Sequence, residues 1–149
     1  MATNKREAEP AAIIGAAAEE ATLRTLCPDL EQWPQRWCIE PADLPVGEAI
    51  LEVLTPFLRH LIAQGLAPRT LKRHRDHLWL LGGEIIRRRY DDPELQQHPL
   101  TYAFAELIDD ETGPLIWPRI SEAEQNAFDA TCRKLHRFLS SQPNHADSG

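Results

Sequence analysis

From Leu71 onward, apolar or amphipathic residues recur at positions 71, 74, 78, 81 and 85. These alternating steps of three and four put one stripe on one face of a helix, which Pro68 opens at its first position. The final segment repeats the pattern. Phe128, Cys132, Leu135, Phe138 and Leu139 fall on one side, behind Ser121-Glu-Ala-Glu124, a capping box. Residues 100–110 predict a shorter amphipathic helix, ended by Thr112-Gly113-Pro114, with Pro118 closing the loop that follows. Upstream, Ile50, Leu51, Val53 and Leu54 have helical spacing, and the folded part is expected to start near Val46. Thr55-Pro56 reads as an N-cap opening a second helix, or as a kink in the first, with Phe57, Leu58, Leu61 and Ile62 as the stripe and Gly65 as terminator. Gly82 and Gly83 each cost about 1 kcal/mol relative to alanine inside a helix. They either end the third helix or admit a close neighbour, and Glu84–Tyr90 either continues it or turns into a strand.

Residues 26–46 hold Pro28, Pro34, Pro41 and Pro45 together with Trp33 and Trp37. Proline removes a donor and clashes one turn back, so this stretch is no continuous helix but a wrap with its tryptophans packed on the domain. Residues 1–25 have helix propensity and little apolar bulk, which suits a marginal helix or a poorly ordered leader. The expected organisation is a partly disordered leader and wrap at 1–45, a helical bundle at 46–141 and a flexible tail at 142–149. The expected fold class is all-α, a small bundle of four to five helices.

A chain of 149 residues suits one domain with its own core, and no apolar run is long enough to span a membrane. Three cysteines without C-x-x-C spacing argue against a disulfide framework or zinc ribbon, so reduced thiols in a cytoplasmic setting are expected. The net charge of −7 conceals a segregation. Residues 58–90 carry eight basic side chains against two acidic ones, whereas the segments on both sides are acidic. Such a block makes a local field that a polyanion would feel.

Its centre is Gly65-Leu-Ala-Pro-Arg-Thr-Leu-Lys-Arg-His74, where Arg69, Thr70, Lys72 and Arg73 occupy the start of a helix. Cations there oppose the helix dipole, at a few tenths of a kcal/mol each, a cost that a bound phosphate backbone offsets. Arg75, Arg87 and Arg88 extend the block, and Arg133, Lys134 and Arg137 form a second cluster on the last helix. Duplex DNA is therefore the expected partner. The rival expectation is a protein-interaction or regulatory module, self-associating or docking an acidic partner, with the tryptophans at 33, 37, 79 and 117 as anchors. His74-Arg-Asp-His77 has the spacing of a metal pair but no supporting glutamate or cysteine, so no metal is expected. The chain carries no nucleotide-binding or hydrolase motif, and Cys132 reads as a core residue. Neither an enzyme, a cofactor nor a small-molecule substrate is expected.

Phe57-Leu-Arg-His-Leu61, then Gly65-Leu-Ala-Pro-Arg-Thr70 and a long helix, resembles the SAM-like core-binding domain of tyrosine recombinases of the phage-integrase type. Cys132-Arg-Lys-Leu-His-Arg-Phe-Leu139 is similar to the helix that closes such domains. The likeness covers about residues 47–141. It implies a SAM-like bundle from a bacterial mobile element, with Arg69, Thr70, Lys72 and Arg73 gripping phosphates at the turn and Arg133 and Arg137 on the closing helix. Ala67 stands where the family prefers a capping serine, and no histidine is followed three residues later by arginine. The chain ends at Gly149 without the catalytic domain, so recombination chemistry is not expected. The same residues also read as a helix-turn-helix regulator, with Arg69–Arg75 starting a recognition helix and residues 82–90 turning back as a wing.

Overall fold

The structure is a computed structural model that describes residues 15–142. They form a bundle of seven helices: α1 (15–26), α2 (Trp33–Trp37), α3 (Leu44–Ala63), α4 (Pro68–Asp91), α5 (Pro93–Gln97), α6 (Leu100–Leu107) and α7 (Glu122–Ser140). Short 3₁₀ turns at Leu30–Gln32 and Pro41–Asp43 flank α2, and no strand occurs among the described residues. The all-α class holds, with more helices than the stripe pattern alone suggested.

The long helices follow the apolar stripes. Leu71, His74, Leu78, Leu81 and Ile85 are buried on α4, and Phe128, Cys132 and Leu135 on α7. Ser121 caps α7 as its sequence demands, its hydroxyl accepting from the Glu124 amide at 3.0 Å. Residues 44–63 are one helix, not two. Pro56 lies inside it, and Thr55 turns its hydroxyl back to donate to the Leu51 carbonyl at 2.8 Å instead of capping a new helix.

The glycine pair does not end α4, and residues 84–90 form neither strand nor wing. Gly82 instead gives space to Trp37, whose indole lies where a Cβ would otherwise sit. From that seat the Trp37 Nε1 donates to the Trp79 carbonyl at 2.9 Å. Trp33, Trp37 and Trp79 form a cluster with ring centroids 5.6 to 5.7 Å apart. This is the wrap that proline-rich residues 26–46 foretold, now with α2 at its centre. Asp43 pins its far end, accepting from the Ile39 and Glu40 amides and from the Tyr90 hydroxyl at 2.7 Å.

No boundary between cores falls at residue 45 among the described residues. Leu23, Leu26, Cys27, Trp33 and Trp37 share one cluster with Leu58, Leu78 and Phe128. The amphipathic content of α1 is small, but two leucines suffice when a ready-made apolar surface lies beneath them, because packing rather than propensity stabilises most helices. The expected disorder of the leader before residue 15, and the tail after residue 142, lie outside the described residues.

Candidate nucleic-acid interface

The basic helix start is built by a turn. α3 ends at Ala63 with Gln64 as its C-cap, and Gly65 adopts φ +73°, a left-handed conformation that glycine reaches without strain. Ala67 then stands in extended conformation as the N-cap of α4, with no side chain to cap the first amides. Where the family that the sequence resembles prefers serine, the first turn keeps its amide donors uncapped by a side chain. Arg69, Lys72 and Arg73 follow on one solvent-facing side of α4, all exposed, and none forms an ion pair among the described residues. Thr70 is half-buried beside them. Asp76 shares the face but is 2.9 Å from Arg75.

The rest of the basic block is spent inside the fold. Arg75 also donates to the Leu26 carbonyl at 2.8 Å, tying α1 to α4. Arg87 and Arg88 turn to Glu84, at 3.8 and 2.7 Å, and Arg119 reaches the same carboxylate at 2.6 Å. Arg88 also donates to the Leu115 carbonyl. Glu84 is 5% exposed. Burial pushes its carboxyl upward, but the Arg119 and Arg88 guanidiniums outweigh that and leave it below its ordinary value. Arg89 donates to the Leu95 carbonyl, and Arg59 pairs with Glu20. Arg133, expected on the DNA-contacting side of the last helix, donates to the Glu111 carbonyl at 3.0 Å instead. Of the expected site residues, Arg75, Arg88 and Arg133 thus each tie one element to another segment, and Arg87 pairs with Glu84 within α4.

Lys134 and Arg137 behave differently. Neither side chain has a hydrogen-bond or ion-pair partner among the described residues, and both line a cavity of about 180 Å³ with His60, Gln64 and Ser141. The end of α3, the start of α4 and the end of α7 therefore converge at one end of the bundle. Lys134 and Arg73 flank His74 from α7 and α4, and both act on its proton affinity.

Beneath this surface His74 and His77 are buried, and each Nδ1 lies 2.7 Å from the Thr131 hydroxyl. One hydroxyl has one proton, so it donates to one ring and accepts from the other, which holds the two imidazoles in opposite tautomers. Burial, then Lys134, His77 and Arg73, pulls His74 down to about 4. Burial also lowers His77, against the opposing pull of Glu124, whose Oε2 lies 3.6 Å from its Nε2. Both rings are neutral packing groups at pH 7, and among the described residues no cluster of three metal-ligating side chains exists. Burial pushes Cys27 up to about 12 and raises Cys132 as well, so neither is a thiolate nucleophile.

His60 and Gln64 were not legible as site residues, since an exposed histidine near a helix end gives no signal until α7 is packed beside it. Of the four tryptophans proposed as protein anchors, Trp33 and Trp37 are buried and Trp79 packs on both. Trp79 keeps 36% of its surface exposed and Trp117 48%, the latter beside the exposed Leu115. No helix among the described residues is long and apolar enough to cross a membrane. No family model, curated protein or solved structure matches the chain.

Proposed function

We propose that this chain is a non-catalytic DNA-binding module, akin to the SAM-like core-binding domain of tyrosine recombinases, that grips duplex phosphates with the first turns of α4 and one side of α7. The observation that carries this reading is the division of the cations. Arg59, Arg75, Arg87 and Arg88 are neutralised within the fold, whereas Arg69, Lys72, Arg73, Lys134 and Arg137 face solvent or a cavity without an anionic partner among the described residues. Clustered unpaired cations repel one another, and a polyanion relieves that repulsion while releasing counterions. Phosphate contacts of this kind position a protein on DNA without reading sequence.

Fluorescence anisotropy with labelled duplex DNA across a salt series tests it. The expected result is binding that weakens steeply with salt and is reduced about tenfold or more by Arg69→Ala plus Arg73→Ala, the loss expected when charged phosphate contacts are removed. Arg36→Ala, at an exposed position of α2, leaves it unchanged. No binding at low salt, or binding indifferent to the double substitution, refutes the proposal.

A second reading, a protein-interaction module, is favoured by Leu115 and Trp117, exposed 62% and 48% in the loop before α7. Large exposed apolar side chains at a loop tip suit interface anchors. Self-association abolished by Trp117→Ala in sedimentation experiments supports it, and a monomer at high concentration removes the self-associating form.

A further inference from the structure

The cavity between α3 and α7 has a chemistry of its own. His60, Gln64, Lys134, Arg137 and Ser141 surround it, and among the described residues no carboxylate lines it. Its floor is aromatic, Phe57 and Phe138 with ring centroids 5.5 Å apart, and His60 packs 4.9 Å from Phe138. The Gln64 amide nitrogen lies 3.1 Å from the His60 Nε2. An amide nitrogen only donates, so Nε2 accepts and the ring proton stands on Nδ1, leaving a second donor. Two cations and an imidazole N–H around one small recess form a donor-rich site, while the Ser141 hydroxyl spends its proton on the Phe138 carbonyl at 2.8 Å.

Two helix C-termini end nearby, and their carbonyls would oppose an anion were they bare. They are not bare. The Gln64 and Gly65 amides occupy the His60 and Ile62 carbonyls, and Ser141 and Gln142 occupy those of Arg137, Phe138 and Leu139. The donors that remain face a recess of about 180 Å³, too small for a nucleotide and roomy enough for one tetrahedral oxyanion.

We infer that this notch is a phosphoryl-group site, holding a phosphate between Lys134 and Arg137 with His60 as a further donor. It rests on the proposed DNA reading for one source of that group, a backbone phosphate of the duplex seated on α4. Free phosphate is the other source.

The full chain is titrated with inorganic phosphate at constant ionic strength, followed by ¹H–¹⁵N NMR, and with duplex DNA by anisotropy. The expected result is saturable phosphate-induced shifts at the Gln64 side-chain amide and at Ser141, absent in Lys134→Gln plus Arg137→Gln. With DNA, the same double variant flattens the log K against log [salt] slope by about one, for the single phosphate no longer neutralised. If wild type binds DNA, the variant keeps the full slope and phosphate moves no notch signal, the inference is overturned and the DNA proposal stands. If phosphate shifts the notch but no duplex binds, the DNA proposal falls and the site takes free phosphate. If neither ligand binds, both fall. A thermal melt of the double variant matching wild type excludes unfolding as the cause.

Discussion

Gly82 and Gly83 are chemically identical neighbours on one helix, yet alanine should act on them with opposite signs. Replacing either glycine removes the same backbone entropy and favours α4 by about 1 kcal/mol. At Gly83 a Cβ would rest 3.5 Å from the Trp37 Cδ1 and 3.9 Å from its Nε1, ordinary contact distances. Gly83→Ala should therefore stabilise the protein by up to about 1 kcal/mol. At Gly82 the same Cβ would enter the space of the Trp37 benzo ring, held in place by its bond to the Trp79 carbonyl and by Trp33. Overpacking of this kind costs about 1–3 kcal/mol if the ring shifts. Expelling the ring approaches the roughly 3–5 kcal/mol of deleting a buried tryptophan. After the propensity gain, Gly82→Ala should destabilise by up to about 4 kcal/mol. For a domain of this size that separates the two variants by several degrees in Tm, at about 2–4 °C per kcal/mol. Urea titrations give the free energies, and near-UV circular dichroism reports the coupled indoles, whose signal should change in Gly82→Ala alone. Equal stability of the two variants, or a more stable Gly82→Ala, would refute the packing of α2 on α4.

Glu84→Gln should destabilise by about 1–3 kcal/mol, since it leaves three arginines without their shared carboxylate while their part-exposed heads stay partly screened by water; a loss below a few tenths in urea titration would show that α4 and the loop before α7 do not depend on it. The buried histidines give a pH dependence with a definite sign. His74 is pulled down to about 4 in the folded state, whereas in the unfolded chain it takes up a proton near 6.5. Between those values the unfolded state binds more protons, so stability should fall as pH drops from about 6.5 towards 4. Urea titrations at pH 7 and pH 5 check this, and His74→Asn should shrink the difference between them. Thr131→Val, which leaves two buried imidazoles without their common partner, should cost about 1–3 kcal/mol at pH 7, and a neutral result would overturn the shared hydrogen-bond arrangement.

Much of the fold follows from local rules that the chain states openly. The stripe at 71, 74, 78, 81 and 85 and the Ser121-Glu-Ala-Glu124 box depend on spacing within one turn or two, which tertiary contacts rarely overrule. Pro56 left two readings open because its local rule has two solutions. A proline can open a helix or sit inside one, and the stripe running from Ile50 to Leu61 decides for continuity by burying both halves on the same core. The glycine pair was equally two-valued until Trp37, more than forty residues away, came to rest against it.

By itself the sequence determined that this protein is helical and that its positive charge is gathered in the middle of an acidic chain. Only the tertiary structure decided which of those cations are available. Charge count is a property of composition, but availability is a property of distance. Glu84 lies within the basic block and draws in Arg87, Arg88 and the remote Arg119, while a backbone carbonyl of α1 takes Arg75. Arg69, Lys72 and Arg73 stay available because their face of the helix is exposed among the described residues. Lys134 and Arg137 join them only because α7 crosses the end of α3, a through-space meeting that no spacing along the chain encodes.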